Sequence, residues 1–179
     1  MKRFCLIGLV LFVFIGAGVF AEETWWNSYA PGVRDNNLFI NAGIGFGPTG
    51  GYNMGIPPIS LSVDYKLPID LPITVGGFAT FGTWRYSYLN TNVTYTNIGI
   101  GARGMYHFNF LDNLDLYAGL NLGYVIQTSN QTQYSGSSFF LWGFNTGARY
   151  FFTENLGAYL ELGYSGLNYI STGVTFKLF

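Results

Sequence analysis

Eight stretches of this chain alternate apolar residues with polar residues or glycine. A period of two is the signature of a strand with one apolar face. After the N-terminal segment, no apolar run approaches the roughly 18 residues that a membrane helix needs. Charged residues make up 9% of the chain and aromatic residues 20%, whereas soluble chains carry about 25% charge. A sheet with so little charge has no polar coat for an outer face in water. In hydrocarbon, only helices and closed barrels satisfy their own backbone groups. The expected fold is therefore all-β: an eight-stranded antiparallel up-and-down transmembrane β-barrel.

The expected strands are 37–46, 59–67, 74–86, 96–108, 115–127, 139–151, 156–165 and 168–179. In the first, Leu38, Ile40, Ala42, Ile44 and Phe46 oppose Asn41, Gly43 and Gly45. In the second, Ile59, Leu61, Val63 and Tyr65 oppose Ser60, Ser62, Asp64 and Lys66. The segment 74–86 has the least definite facing. Later strands set Ile98, Ile100 and Ala102 against Gly99, Gly101 and Arg103, and Leu120, Leu122 and Tyr124 against Tyr117 and Asn121. Trp142 and Phe144 oppose Asn145, Gly147 and Arg149, and Leu160 and Leu162 oppose Tyr159 and Glu161. Loops at 47–58, 87–93 and 128–138 are the long ones. The short turns carry Asp70, Asp112 and Glu154. Short turns on the periplasmic side and longer loops outside are the habit of outer-membrane barrels. The last outer loop, Gly166-Leu167, is the exception. Two passages, "GARGMYHFNFLDNLDLYAGLNLGY" and "GARYFFTENLGAYLELGY", read as versions of one hairpin.

At the N-terminus, Lys2 and Arg3 precede an uncharged apolar run from Phe4 to Phe20, and Val19-Phe20-Ala21 sets small residues three before and one before a cut. This is the layout of a signal peptide over 1–21, cleaved after Ala21. Residues 22–36 form a periplasmic lead-in whose Trp25 and Trp26 suit the inner interface, and 37–179 form the barrel. The single cysteine, Cys5, lies in the leader, so no disulfide or thiolate chemistry is expected beyond it.

The chain ends in "STGVTFKLF". Ser171-x-Gly173-x-x-Phe176-x-Leu178, with Phe179 one residue beyond, resembles the closing strand of outer-membrane barrels. The whole of 37–179 resembles the small eight-stranded barrels of the OmpA/OmpX-like family. The resemblance implies that the barrel-assembly machinery reads Ser171, Gly173, Phe176, Leu178 and Phe179.

Asp64, Lys66, Arg103, Arg149, Glu161 and Lys177 all fall on the polar face. Facing lipid at mid-depth, an Arg or Lys costs about 2–4 kcal/mol. Facing inward, opposite charges can pair, and the lumen of eight strands is only wide enough for side chains to fill it. These six are expected to form an interior polar network, with Glu161 meeting Arg103 or Arg149. Aromatic belts are expected at both interfaces: Tyr65, Tyr106, Phe108, Tyr150 and Phe176 at the periplasmic end, and Trp84, Tyr86, Tyr95, Tyr124, Trp142 and Tyr164 at the outer end.

Three apparent motifs carry no chemistry. "GFGPTG" (45–50) has dinucleotide-loop glycines but no helix behind it. The sequons at Asn92 and Asn130 mean little in a bacterial barrel. His107 is the only histidine, and with no free cysteine it makes no metal set. No catalytic residue, cofactor or metal is expected, and no enzyme activity.

Two functions remain open. One is a structural or surface-interaction barrel of the bacterial outer membrane with a plugged interior, contacting outer-membrane lipid and presenting loops to an extracellular partner. The other is a narrow channel for small or apolar solutes, favoured by the space that inward Gly43, Gly45, Gly99, Gly101 and Gly147 would leave. A soluble ligand-carrying barrel is a third option, which the low charge argues against. Nothing in the sequence suits nucleic acid.

Overall fold

The structure is a computed structural model that describes residues 36–47, 53–88, 91–111, 113–131 and 136–179. The expected leader, its cleavage position at Ala21, Asp112 and the lead-in up to residue 35 lie outside the described residues.

The chain forms β1 (Leu38–Phe46), β2 (Asn53–Lys66), β3 (Ile73–Tyr88), β4 (Thr91–Leu111), β5 (Leu114–Ser129), β6 (Phe139–Phe151), β7 (Leu156–Gly163) and β8 (Ile170–Leu178). Each strand pairs antiparallel with its chain neighbours, and β8 returns to β1 to close the barrel. The seam runs in register from Leu38↔Leu178 to Phe46↔Ile170. Closure leaves no unpaired ladder for hydrocarbon to strip of hydrogen bonds. This is the expected eight-stranded up-and-down barrel.

The alternation reads directly as two faces. Leu61, Ala79, Ile100, Tyr124 and Phe140 fall in one row across β2 to β6 and point outward. Val63, Val75, Leu120, Leu122, Phe144, Leu160 and Val174 are exposed on the same outer surface. On the other face Asn41, Asp64, Arg103, Asn121, Arg149 and Glu161 are buried. Apolar out and polar in suits a wall set in lipid and inverts the arrangement of a soluble carrier.

The strands run further at the loop end than the alternation predicts. β2 begins at Asn53, Tyr88 of β3 pairs with Thr91 of β4, and β5 reaches Ser129, so strand takes in half of the expected 47–58 loop, most of 87–93 and only the start of 128–138. Past the apolar band the strands carry Thr94, Thr96, Asn97, Gln127 and Thr128. The alternation there persists but reverses, with Trp84 and Val93 buried and Arg85, Ser87 and Asn92 exposed, so a search for an apolar outer face stops short of the strand ends. β3, β4 and β5 have 16, 21 and 16 residues, against 9 for β1, 8 for β7 and 9 for β8. One side of the barrel therefore rises well above the other. In the raised part of β2 the register shifts between Met54, Ile56 and Ile59, around Pro57-Pro58, which lack ladder donors.

The last outer connection is longer than Gly166-Leu167. β7 stops at Gly163 and β8 starts at Ile170. Gly166 has φ of 89°, which a side chain would strain, and this reversal tucks Leu167 into the lumen.

Candidate functional site

The lumen is filled by two layers of different chemistry. The lower layer, toward the short turns, is ionic. Asp64 on β2 meets Arg103 on β4 at 3.0 Å and Arg149 on β6 at 2.5 Å. Arg103 continues to Glu161 on β7 at 2.8 Å, and Arg149 to Asp115 on β5 at 3.0 Å. Glu161 also accepts from Tyr117 at 3.0 Å and Asn145 at 2.6 Å. Asn41 donates to Ser62 at 2.8 Å and accepts from the Arg149 Nε at 3.1 Å. The Arg149 guanidinium lies between two rings, 4.3 Å from that of Tyr117 and 4.8 Å from that of Phe39. Charge taken out of water is costly unless it is paired and hydrogen-bonded. Here each ion of the layer has two or more partners.

Asp64, Arg103, Arg149 and Glu161 are thus brought together, and Glu161 takes Arg103 as its arginine. Lys66 and Lys177 sit lower. The Lys66 ammonium donates to the carbonyls of Leu67 (2.5 Å) and Ile69 (3.1 Å), tying down the β2–β3 turn. Lys177 lies 5.1 Å over the ring of Phe151. At the seam, Ser171 faces inward and is buried, Phe176 and Leu178 face outward, and Phe179 lies exposed at the end. The backbone carbonyl of Phe179 accepts from the Asn37 side chain.

Two members of the ionic layer do not stand out in the sequence. Asp115 sits directly opposite Arg149 in the β5–β6 ladder, on the parity of inward Tyr117. His107 shares the parity of Arg103. Its Nδ1 lies 2.7 Å from the Asp115 carboxylate and its Nε2 3.0 Å from the Thr74 hydroxyl. Hydroxyl, imidazole and carboxylate in that order resemble a nucleophile–base–acid relay. All three are buried within the packed layer, and Asp115 is also held by Arg149, so no substrate carbonyl can reach Thr74. Among the described residues no group of three or more His, Cys, Asp or Glu side chains could hold a metal.

The upper layer is apolar. Phe78, Trp84, Val125, Leu141 and Leu167 form one buried cluster, with Tyr164 packed against it. The outer aromatic belt expected from height along the strands therefore does not include Trp84. It shares the parity of inward Phe78, and at 9% exposure it points into the barrel, whereas Trp142 is 71% exposed toward lipid. Tyr164, just past the end of β7, is half-buried, packed against this cluster on one side and 5.4 Å from the ring of exposed Tyr169 on the other.

Glycines make both layers feasible. Reading across the ladders, Gly76 lies between Asp64 and Arg103, and Gly147 between Tyr117 and Glu161. Gly101 and Gly123 lie between Phe78 and Leu141. Gly173 and Gly43 separate Tyr159 from Ser60, whose hydroxyls meet at 3.1 Å. Partners on non-adjacent strands touch over a strand that presents no side chain. The space that inward glycines were expected to leave for solute is taken. A Cβ at Gly43, Gly45, Gly99, Gly101 or Gly147 would fall within 2.4–2.7 Å of the side chain of Tyr159, Asn168, Thr80, Phe78 or Tyr117 respectively.

A profile described as "Outer membrane protein beta-barrel domain" matches residues 7–178. No curated protein matches the chain. Among solved structures, a protein from the de novo design of transmembrane β-barrels is 12% identical, covering 82% of this chain and 98% of that one, with a TM-score of 0.51. Ail, the attachment invasion locus protein of Yersinia pestis, solved with the heparin analogue sucrose octasulfate, is 12% identical over 80% of this chain and 96% of its own, with a TM-score of 0.50. The N-terminal barrel domain of Pseudomonas aeruginosa OprF is 19% identical over 80% and 98%, with a TM-score of 0.47. At such identities these likenesses concern the fold. The profile spans nearly the whole chain, and with the apolar outer wall it places the protein in the outer membrane of a diderm bacterium, as a member of the outer membrane protein beta-barrel domain family.

Proposed function

We propose that the barrel is a closed structural support that presents its raised β2–β5 side to an extracellular partner and conducts no solute. The observation that carries this reading is the double filling of the lumen. A path through it must cross the Asp64–Arg103–Glu161 and Asp64–Arg149–Asp115 pairs and then the Phe78–Trp84–Leu141 cluster. Arg85 is the single charged residue near the outer loops. Ail was solved with a polyanion. A polyanion would find one cation here, so the partner contacts are those of Ser, Thr, Asn, Gln and Tyr, which recognise neutral polar surfaces. On the same reading 1–21 is a leader removed after Ala21, and Ser171, Gly173, Phe176, Leu178 and Phe179 form the strand the assembly machinery reads.

The test is conductance in planar bilayers, after heat-modifiable gel migration has verified folding. The wild type is silent. Glu161→Ala alone stays silent, because the apolar layer still blocks the lumen. Adding Phe78→Ala and Trp84→Ala to it produces leak. Discrete openings from the wild type would overturn the proposal in favour of solute passage. An epitope inserted between Leu89 and Asn90 is expected to stain on intact cells. Staining only after the outer membrane is broken would reverse the assigned orientation.

A further inference from the structure

Between the ionic and apolar layers lies a cavity of about 20 Å³, walled in part by Thr80, Arg103, Asn121, Tyr159, Glu161 and Ser171, with Phe78 on its apolar side. We infer that this cavity is a binding site for one water molecule, held by Asn121 beside the Arg103–Glu161 pair.

The inference starts from Asn121. Its side chain is 1% exposed, yet neither its amide nitrogen nor its carbonyl oxygen has a hydrogen-bond partner among the described residues. The Thr80 hydroxyl, also buried, is unpartnered too. Buried polar groups are costly unless satisfied, and an amide with neither atom paired on a cavity wall points to a partner inside that cavity. Asn121 lies between Arg103 and Gly143 in the ladders, so no side chain stands beside it on β6.

The chemistry of the wall selects the occupant. A cavity needs about 10–15 Å³ to admit one water, and this one admits little more. Arg103 and Glu161 present both signs of charge, so a cation would face a guanidinium and an anion a carboxylate. A neutral dipole suits both. Water donates to the Asn121 oxygen and accepts from its nitrogen, a coordination no larger solute could fit into the same space.

The experiment uses the refolded, isotopically labelled protein in detergent micelles and reads magnetisation transfer between water and the Asn121 side-chain amide. A long-lived water cross-peak is expected, unchanged when sodium is exchanged for lithium or potassium. Absence of the cross-peak overturns the inference. A shift of the Asn121 amide on changing the alkali cation overturns it as well, because the occupant would then be an ion. Asn121→Leu supplies an independent reading. A dry cavity holds an unsatisfied amide, so its removal would raise the urea midpoint and overturn the inference, whereas a hydrated site gives an unchanged or lower midpoint.

Discussion

Arg149→Met lowers the unfolding free energy of the barrel by about 3–5 kcal/mol, the usual result of removing one partner from a buried ionic group. Arg149 is fully buried and is the only described link between Asp64 and Asp115, reaching them at 2.5 and 3.0 Å. Methionine keeps most of the side-chain volume but leaves Asp115 with His107, and Asp64 with Arg103 and the Asn41 amide. It also removes the cation held between the rings of Tyr117 and Phe39. Urea titration in detergent, read by the heat-modifiable gel shift, gives the free energy. Arg149→Lys separates charge from geometry. A lysine supplies the charge but not the fork that joins two carboxylates, so it recovers only part of the loss. A loss below about 1 kcal/mol for Arg149→Met would mean that the ionic layer contributes little to stability.

The wall of this protein is legible in the sequence because a strand in lipid must alternate at every residue. Leu61, Val63 and Tyr65 against Ser62, Asp64 and Lys66 leaves a single assignment of faces. The inward charges follow from the same parity. What alternation does not encode is which inward side chains meet, since that depends on the register between strands and on reach across the lumen. Asp115 and His107 are on the inward parity, but their meeting with Arg149 and Thr74 depends on the ladders of β3 to β6. Height on a strand assigns Trp84 to the outer belt, whereas parity, which decides the facing, assigns it to the lumen. The extended rim is hidden for a different reason: above the membrane the apolar residues, such as Trp84 and Val93, turn inward, so the outward apolar signal ends before the hydrogen bonding does. Inward glycines look like vacancies when each strand is read alone. A glycine in the inward register is better read as a gap over which larger neighbours join, as Tyr117 and Glu161 do across Gly147 once the ladders set the register.

Gly147→Val tests that reading and is expected to cost about 3 kcal/mol or more, combining overpacking with the loss of a hydrogen bond to a carboxylate. A Cβ at Gly147 would lie 2.4 Å from Cζ of Tyr117. The ring has little freedom to retreat. Its hydroxyl is bound to Glu161 at 3.0 Å, the Arg149 guanidinium lies 4.3 Å from its centroid, and the His107 ring is 5.8 Å away. Displacing Tyr117 therefore disturbs Glu161, Arg149 and His107 together. A general intolerance of β-branched residues at this backbone position would produce the same single-variant loss, so the deciding measurement is a double-mutant cycle with Tyr117→Ala. If the glycine exists to seat the tyrosine, the valine should cost much less once the ring is gone, with a favourable coupling of about 1–3 kcal/mol. Additive losses would show that Gly147 answers to the backbone alone, and the account of inward glycines as bridging gaps would fail at its clearest example.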